Sequence, residues 1–335
     1  MKVGVVGAGG WGTALAKLLT ENGHQVKLWA YEEDTMAEIN QKHTNERFLP
    51  GVVLPAELTA NTDPVEVAEG AEILTFVVPS QWLRATAKLF AAHLSPEAVV
   101  VNAGKGVEIQ TLKTLTQVLK EELPSLHHEI VALSGPNHSE EVSRRLPSAT
   151  VVAGPDLKVA ELVQEVFMSS YFRVYTNQDR LGVELGGALK NVFSMAAGIC
   201  DGLNFGDNTK AALVTRALAE MRRLGVAMGA KPVTFSGLSG LGDLFVTAAS
   251  RHSRNAWAGR EIGKGRRLEE ILASTPMVVE GVPTTKAAYA LSKKFQVELP
   301  IIEKMYQVLF EDYPPRQAVE DLMIRERRSE TEKII

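Results

Sequence analysis

Apolar residues fall in short, nearly continuous runs through the first half of the chain and in helical stripes through the second. Lys2–Val6, Gln25–Trp29, Ile73–Val78, Val99–Asn102, Ile130–Leu133, Thr150–Ala153 and Arg173–Tyr175 are rich in Val and Ile. Runs of that kind suit strands buried on both faces of a parallel sheet. Between them, segments such as Thr13–Thr20 and Thr111–Glu122 repeat apolar residues at helical spacing. The alternation predicts a doubly wound, parallel α/β sheet.

Beyond about residue 178 the strand pattern stops. Val183–Cys200, Thr209–Met228, Arg254–Ile262, Thr284–Lys294, Ile301–Phe310 and Arg316–Ile324 all carry helical periodicity. Pro300 and Pro315 stand just ahead of two of these stretches, where proline suits a first turn. The chain therefore divides into an α/β domain over residues 1–178 and an all-helical domain over residues 179–335.

The first strand runs into Gly7-Ala8-Gly9-Gly10-Trp11-Gly12, a G-x-G-x-x-G pattern opening a helix near Thr13. Gly7 allows the tight turn, Gly9 lets the backbone approach a pyrophosphate, and Gly12 lets helix and strand pack closely. The helix N-terminus supplies amide donors to the phosphates. By itself the pattern is an ordinary glycine-rich turn. Here it is followed by an Asn22-Gly23 turn, a second strand and Glu32, twenty residues past Gly12, which completes the dinucleotide-binding Rossmann unit.

Composition narrows the class without adding chemistry. The 335 residues are 45% hydrophobic and 23% charged, as in an ordinary globular protein. A net charge of −4 argues against nucleic acid as a partner. Cys200 is the one cysteine, so no internal disulfide forms and a reducing compartment fits. No apolar run is long enough to span a membrane, and Met1–Val6 is too short for an export signal, so a cytoplasmic location is expected. No spacing of His, Asp or Glu suggests a metal site. His138 and His252 have no role that the pattern requires.

The opening Gly7–Ala16 resembles that of the bacterial glycerol-3-phosphate dehydrogenases. The resemblance continues at Val78-Pro79-Ser80, Lys105-Gly106-Val107-Glu108, Ser134-Gly135-Pro136 and Gly186–Val192. It then runs through Gly240–Leu244, Ser253-Arg254-Asn255 and Val278–Gly281. The segments cover both domains in family order. They imply a Rossmann domain joined to a helical domain of the 6-phosphogluconate dehydrogenase-like type. The implied activity is reversible reduction of dihydroxyacetone phosphate to sn-glycerol 3-phosphate with NAD or NADP, supplying glycerophospholipid synthesis. A homodimer is the assembly that the resemblance suggests.

Reducing a ketone needs a proton donor beside the developing alkoxide and an anchor for the phosphate. Lys190 interrupts a long apolar helix and has Gly186, Gly187, Ser194 and Ala197 as helical neighbours, a strip that leaves room for a substrate. Read alone, it is either that donor or a lysine reaching out of a buried helix; the resemblance matches it to the proton donor and acceptor. Asp243, flanked by small and apolar residues, needs a partner for its charge, and the resemblance sets it beside the lysine. Lys105, after a buried strand, matches a contact to both substrate and cofactor. Ser253, Arg254 and Asn255 offer a hydroxyl, a guanidinium and an amide to a phosphate. Arg254 also matches a cofactor contact. Gly135, Asn137 and Asn191 match substrate contacts; Gly10, Trp11, Tyr31, Ser139, Val278 and Glu280 match cofactor contacts. Asn137 and Ser139 depart from the family, which more often has Ser or Thr, and Ala, there.

Two other readings keep part of this picture. A β-hydroxyacid dehydrogenase would share the architecture, but Ser253-Arg254-Asn255 with Asp243 counts against it. A dinucleotide-binding regulator without catalysis is opposed by Lys190, Asp243 and Lys105 together. The second strand ends in Trp29-Ala30-Tyr31-Glu32-Glu33-Asp34, three acids where bacterial relatives often carry a basic residue. A 2′-phosphate would meet repulsion there unless a cation from elsewhere compensates, so NADH is expected to serve at least as well as NADPH.

Overall fold

The structure is a computed structural model that describes residues 1–250, 253–327 and 329–330. His252 lies outside the described residues. The chain divides into two compact units, Met1–Lys105 with Lys113–Val183, and Gly106–Leu112 with Glu184–Ile335. The division thus falls inside the helix Arg180–Gly202 rather than after residue 178, and the short stretch Gly106–Leu112 groups with the second unit.

In the first unit one sheet holds β1 Lys2–Val6, β2 Gln25–Trp29, β3 Thr59–Asn61, β4 Ile73–Phe76, β5 Val99–Asn102, β6 Val131–Ser134, β7 Ser148–Ala153 and β8 Phe172–Asn177. Their order is β3-β2-β1-β4-β5-β6-β7-β8. The first six are mutually parallel, the doubly wound arrangement in which ligands bind at the carboxyl ends of the strands. β7 runs antiparallel to β6, and β8 is parallel to β7, so the sheet is not parallel throughout as expected. The connection from β6 carries only the single turn Ser139–Val142. A parallel crossover usually carries a full helix across the sheet face, which this connection does not have.

Successive residues of the central strands face opposite sides. Val99 and Val101 join a core with Leu15, Leu18 and Leu19 of the helix Gly10–Glu21, while Val100 joins Phe76, Phe90 and Leu119 on the other face. Both faces are therefore dry, which is why these strands read as unbroken apolar runs. The helix expected over Thr111–Glu122 begins only at Leu115. Leu112 takes a left-handed conformation at φ 60°, and Thr114 with Gln117 forms a capping box that fixes the start.

The second unit is built from helices. The longest, Arg180–Gly202, is buried from Gly182 to Cys200, and its glycines allow other segments to close in. A Cβ on Gly198 would stand 2.1 Å from the Ala256 carbonyl oxygen, and one on Gly186 would stand 2.7 Å from that of Ser239. The helices Asp207–Ala227, Gly281–Lys294, Pro300–Phe310 and Pro315–Met323 complete this unit with Asp243–Ala249, Arg254–Gly263 and Leu268–Ala273.

Candidate active site

In the first unit the turn after β1 is shaped by its glycines. Gly7 has φ 115°, and a Cβ on Gly12 would stand 1.8 Å from the Gly7 carbonyl oxygen. At Gly9 an added Cβ would have nothing within 4 Å, so open space lies over the turn. No side chain caps the helix Gly10–Glu21. A tight turn, open space and an uncapped helix N-terminus fit a dinucleotide pyrophosphate. The Trp11 ring packs into the core, 6.4 Å from Phe172, which leaves its backbone amide as the group it can offer there. Tyr31, past the end of β2, has its ring edge-on to Trp29 and 79% exposed.

A residue that sequence reasoning missed fastens this turn. The fully buried Asn45 donates from Nδ2 to the Ala8 carbonyl at 2.9 Å and to Thr13 Oγ1 at 2.8 Å, and Thr13 Oγ1 itself donates to Ala8. Asn45 stands in the polar stretch His43-Thr44-Asn45-Glu46, which has no pattern to distinguish it from a solvated loop.

Lys105, Gly135, Asn137 and Ser139 gather beyond the ends of β5 and β6. Lys105 Nζ donates to the Gly135 carbonyl at 2.9 Å, and the Asn137 amide N–H donates to the same oxygen at 2.8 Å. Asn137 Nδ2 donates to the Ala149 carbonyl at 2.9 Å, while its buried Oδ1 has no hydrogen-bond partner. Ser139 Oγ lies 3.1 Å from where a Cβ on Gly10 would stand, so this departure from the family touches the glycine turn.

In the second unit Lys190 meets Asp243. Lys190 Nζ lies 2.9 Å from Asp243 Oδ1, with side chains 9% and 1% exposed. Nζ also donates to Thr247 Oγ1 at 2.7 Å, and that hydroxyl is 3.3 Å from Asp243 Oδ1. A buried ammonium is thereby matched by a carboxylate and a hydroxyl, as a charge held out of water requires. Thr247 was not singled out from the sequence, although its spacing one helical turn after Asp243 sets both on one helix face. Two of the four small residues beside Lys190 meet other segments of the protein. Gly186 admits the Ser239 backbone, and Ser194 Oγ donates to the Thr247 carbonyl at 3.1 Å. They let the Leu238–Gly242 segment close in, and that approach carries Asp243 to the lysine.

Ser253 and Asn255 are committed within the same unit. Ser253 Oγ accepts from the Ala256 amide at 3.1 Å, capping the helix Arg254–Gly263, and lies 2.9 Å from Ser194 Oγ. Asn255 Nδ2 donates to Asn191 Oδ1 at 2.9 Å, and its Oδ1 accepts from the Gly281 amide at 2.9 Å. Of the three, only Arg254 is exposed. Asn191 Nδ2 is buried with no hydrogen-bond partner, a donor still to be used. Val278 is exposed and Glu280 precedes the helix Gly281–Lys294. Burial pushes the Cys200 thiol up to about 11, which keeps it protonated and unreactive. Among the described residues no group of His, Cys, Asp or Glu could hold a metal ion, and no helix is long and apolar enough to cross a membrane.

Comparison with known proteins agrees with both units. Residues 2–160 match the family model for the N-terminus of NAD-dependent glycerol-3-phosphate dehydrogenase, and residues 179–320 match that for its C-terminus. The chain is 49% identical to glycerol-3-phosphate dehydrogenase [NAD(P)+] of Lysinibacillus sphaericus over 334 residues, covering 99% of each. It is 51% identical to the protein so named from Desulfitobacterium hafniense, over 99% of this chain and 94% of that one. Among solved structures, glycerol-3-phosphate dehydrogenase of Coxiella burnetii superposes with a TM-score of 0.93 at 35% identity, covering 97% of this chain and 99% of that one.

Proposed function

This chain belongs to the NAD-dependent glycerol-3-phosphate dehydrogenase family, and we propose that it reversibly reduces dihydroxyacetone phosphate to sn-glycerol 3-phosphate with Lys190 as the proton donor. The observation that carries this reading is the buried Lys190–Asp243 pair at 2.9 Å, closed by Thr247. A reduced nicotinamide dinucleotide, when bound, supplies the hydride that the ketone carbon receives. The carbonyl oxygen then gains negative charge, and Lys190 Nζ gives it a proton, taking one back in the reverse direction. Asp243 and Thr247 hold the ammonium in place and keep it charged.

The other side chains divide by unit. In the first, the Gly7–Gly12 turn holds the pyrophosphate through the amides of Gly10, Trp11 and Gly12, with Tyr31 and Ser139 also on the dinucleotide. Lys105, Gly135 and Asn137 contact substrate, and Lys105 contacts the cofactor as well. In the second, Asn191 offers its unpartnered Nδ2 to a substrate oxygen, and Arg254 offers a guanidinium fork to the phosphate. Ser253 and Asn255 contact substrate beside Arg254, and Val278 and Glu280 serve the cofactor. NADH serves at least as well as NADPH, because Glu32 stands where a carboxylate holds a ribose 2′-hydroxyl. The enzyme works in the cytoplasm as a homodimer on small molecules rather than nucleic acid, and its product feeds glycerophospholipid synthesis.

The test is oxidation of NADH and of NADPH by the purified protein with dihydroxyacetone phosphate, at one salt concentration. Turnover with that ketone and a kcat/KM for NADH at or above that for NADPH support the reading. Turnover only with β-keto acids would replace it with the β-hydroxyacid dehydrogenase reading, and a clear NADPH preference would remove the cofactor assignment.

A further inference from the structure

Two residues close to Arg47 in the chain lie against the glycine turn. Asn45 holds the Ala8 carbonyl, and the Phe48 carbonyl oxygen lies 2.7 Å from where a Cβ on Gly10 would stand. Arg47 itself reaches the end of β2. Its Nη1 lies 4.0 Å from Glu32 Oε1 and 3.9 Å from Asp34 Oδ2, and its guanidinium stands 5.0 Å from the centre of the Phe48 ring. Both carboxylate distances exceed hydrogen-bond length. The pairs therefore offset charge without locking the guanidinium into one fork. The Arg47 side chain is 44% exposed, open to a ligand from solvent.

Glu32 occupies the position that holds a ribose 2′-hydroxyl in dinucleotide-binding folds. A carboxylate suited to the hydroxyl and a guanidinium suited to a phosphate thus stand together, supplied by segments that are not adjacent in sequence. We propose that Arg47 is the residue through which this chain accepts the 2′-phosphate of NADP. The acids of Glu32–Asp34 alone would repel that phosphate; Arg47 lowers the repulsion and presents N–H donors of matching geometry. NADH keeps Glu32 and makes no use of Arg47. The inference rests on the reading that the first unit binds a nicotinamide dinucleotide.

The experiment is a binding titration without substrate, following nicotinamide fluorescence with NADPH and NADH on the wild-type protein, Arg47→Gln and Arg47→Lys. Melting curves confirm that each variant is folded. Arg47→Gln is expected to weaken NADPH about tenfold, the scale of one charge-assisted contact at a solvated position, and NADH by less than about twofold. Arg47→Lys keeps the charge without the fork and is expected to fall between. Added salt weakens NADPH more than NADH in the wild-type protein, and that difference vanishes in Arg47→Gln. An equal change for both dinucleotides, or none for either, overturns the role of Arg47 and leaves it an exposed ion pair. A wild-type protein that binds neither dinucleotide overturns the underlying reading as well, and the two failures are told apart by the NADH arm.

Discussion

The glycine turn of the first unit and the lysine cluster of the second are made of different materials. The turn is backbone, and its key property is the absence of side chains at Gly7, Gly9 and Gly12. The cluster is side chain: an ammonium, a carboxylate and a hydroxyl buried together, with Lys190 and Thr247 separated by 57 positions. A backbone site is specified by consecutive residues and by the space that they leave open. A site of buried charges is specified across the fold, and it depends on every member having its partner. The two should therefore fail differently when altered.

The largest failure is expected at the lysine. Lys190→Met keeps a long unbranched side chain and removes the proton donor, so kcat should fall roughly a thousandfold. The NADH dissociation constant should stay within about twofold, since the dinucleotide fingerprint is in the other unit. Thr247→Val removes one hydrogen bond to the ammonium and should cost about tenfold in kcat with little change in KM. Steady-state rates with dihydroxyacetone phosphate, beside a cofactor titration, read both. A Met variant with near-normal kcat would take Lys190 out of the chemistry.

The glycine turn should separate space from structure. A Cβ on Gly12 collides with the Gly7 carbonyl at 1.8 Å, backbone against backbone. Gly12→Ala should therefore lower stability by about 3 kcal/mol, at the upper end of overpacking costs, and weaken NADH as well. Gly9 has φ −67° and ψ 174°, which any residue adopts, and nothing near its Cβ position. Gly9→Ala should melt like the wild-type protein yet bind NADH about tenfold more weakly, because the space belongs to the pyrophosphate. Unchanged NADH binding in Gly9→Ala would show that the open space is not where the dinucleotide lies.

The same contrast explains what the sequence made legible. The parallel strands could be read because burial on both faces leaves them nearly without polar residues. β3 escaped: Thr59-Ala60-Asn61 is a three-residue edge strand with one buried position. The antiparallel turn of β7 left no trace, since its apolar run looks the same in either direction. In the site, the fingerprint was legible as a contiguous pattern, and the family resemblance identified Lys190 and Asp243. Thr247, Asn45 and Arg47 were not legible, because each acts through a partner that only folding brings near. Ser253 and Asn255 were read as ligand groups, and the fold adds hydrogen bonds to Ala256, Ser194, Asn191 and Gly281 that leave each side chain further capacity.

A second buried acid in the helical unit has backbone amides where Asp243 has an ammonium. Glu220 is 3% exposed, and its carboxylate accepts from the backbone amides of Ile301 at 2.7 Å and Ile302 at 3.2 Å. It thereby caps the helix Pro300–Phe310, whose N-cap Leu299 has no side-chain acceptor. Burial pushes the Glu220 carboxyl up to about 7, against the two amides and the more distant Arg223 and Arg325, which favour the charged form. The folded state then binds a proton between pH 4.5 and about 7 that the unfolded chain has already released. The stability from this group is complete below pH 4.5 and is lost as pH rises through 7, by about 3 kcal/mol at about 1.4 kcal/mol per pKa unit. Glu220→Gln does not titrate; it keeps one acceptor, loses the other at a pH-independent cost of about 1 kcal/mol, and should lack this slope. Denaturant unfolding of both proteins at pH 4.5, 6 and 7.5 gives the difference directly. The wild-type advantage should be greatest at pH 4.5 and should reverse by pH 7.5, whereas parallel curves would mean that the two amides and the two arginines hold the carboxylate charged.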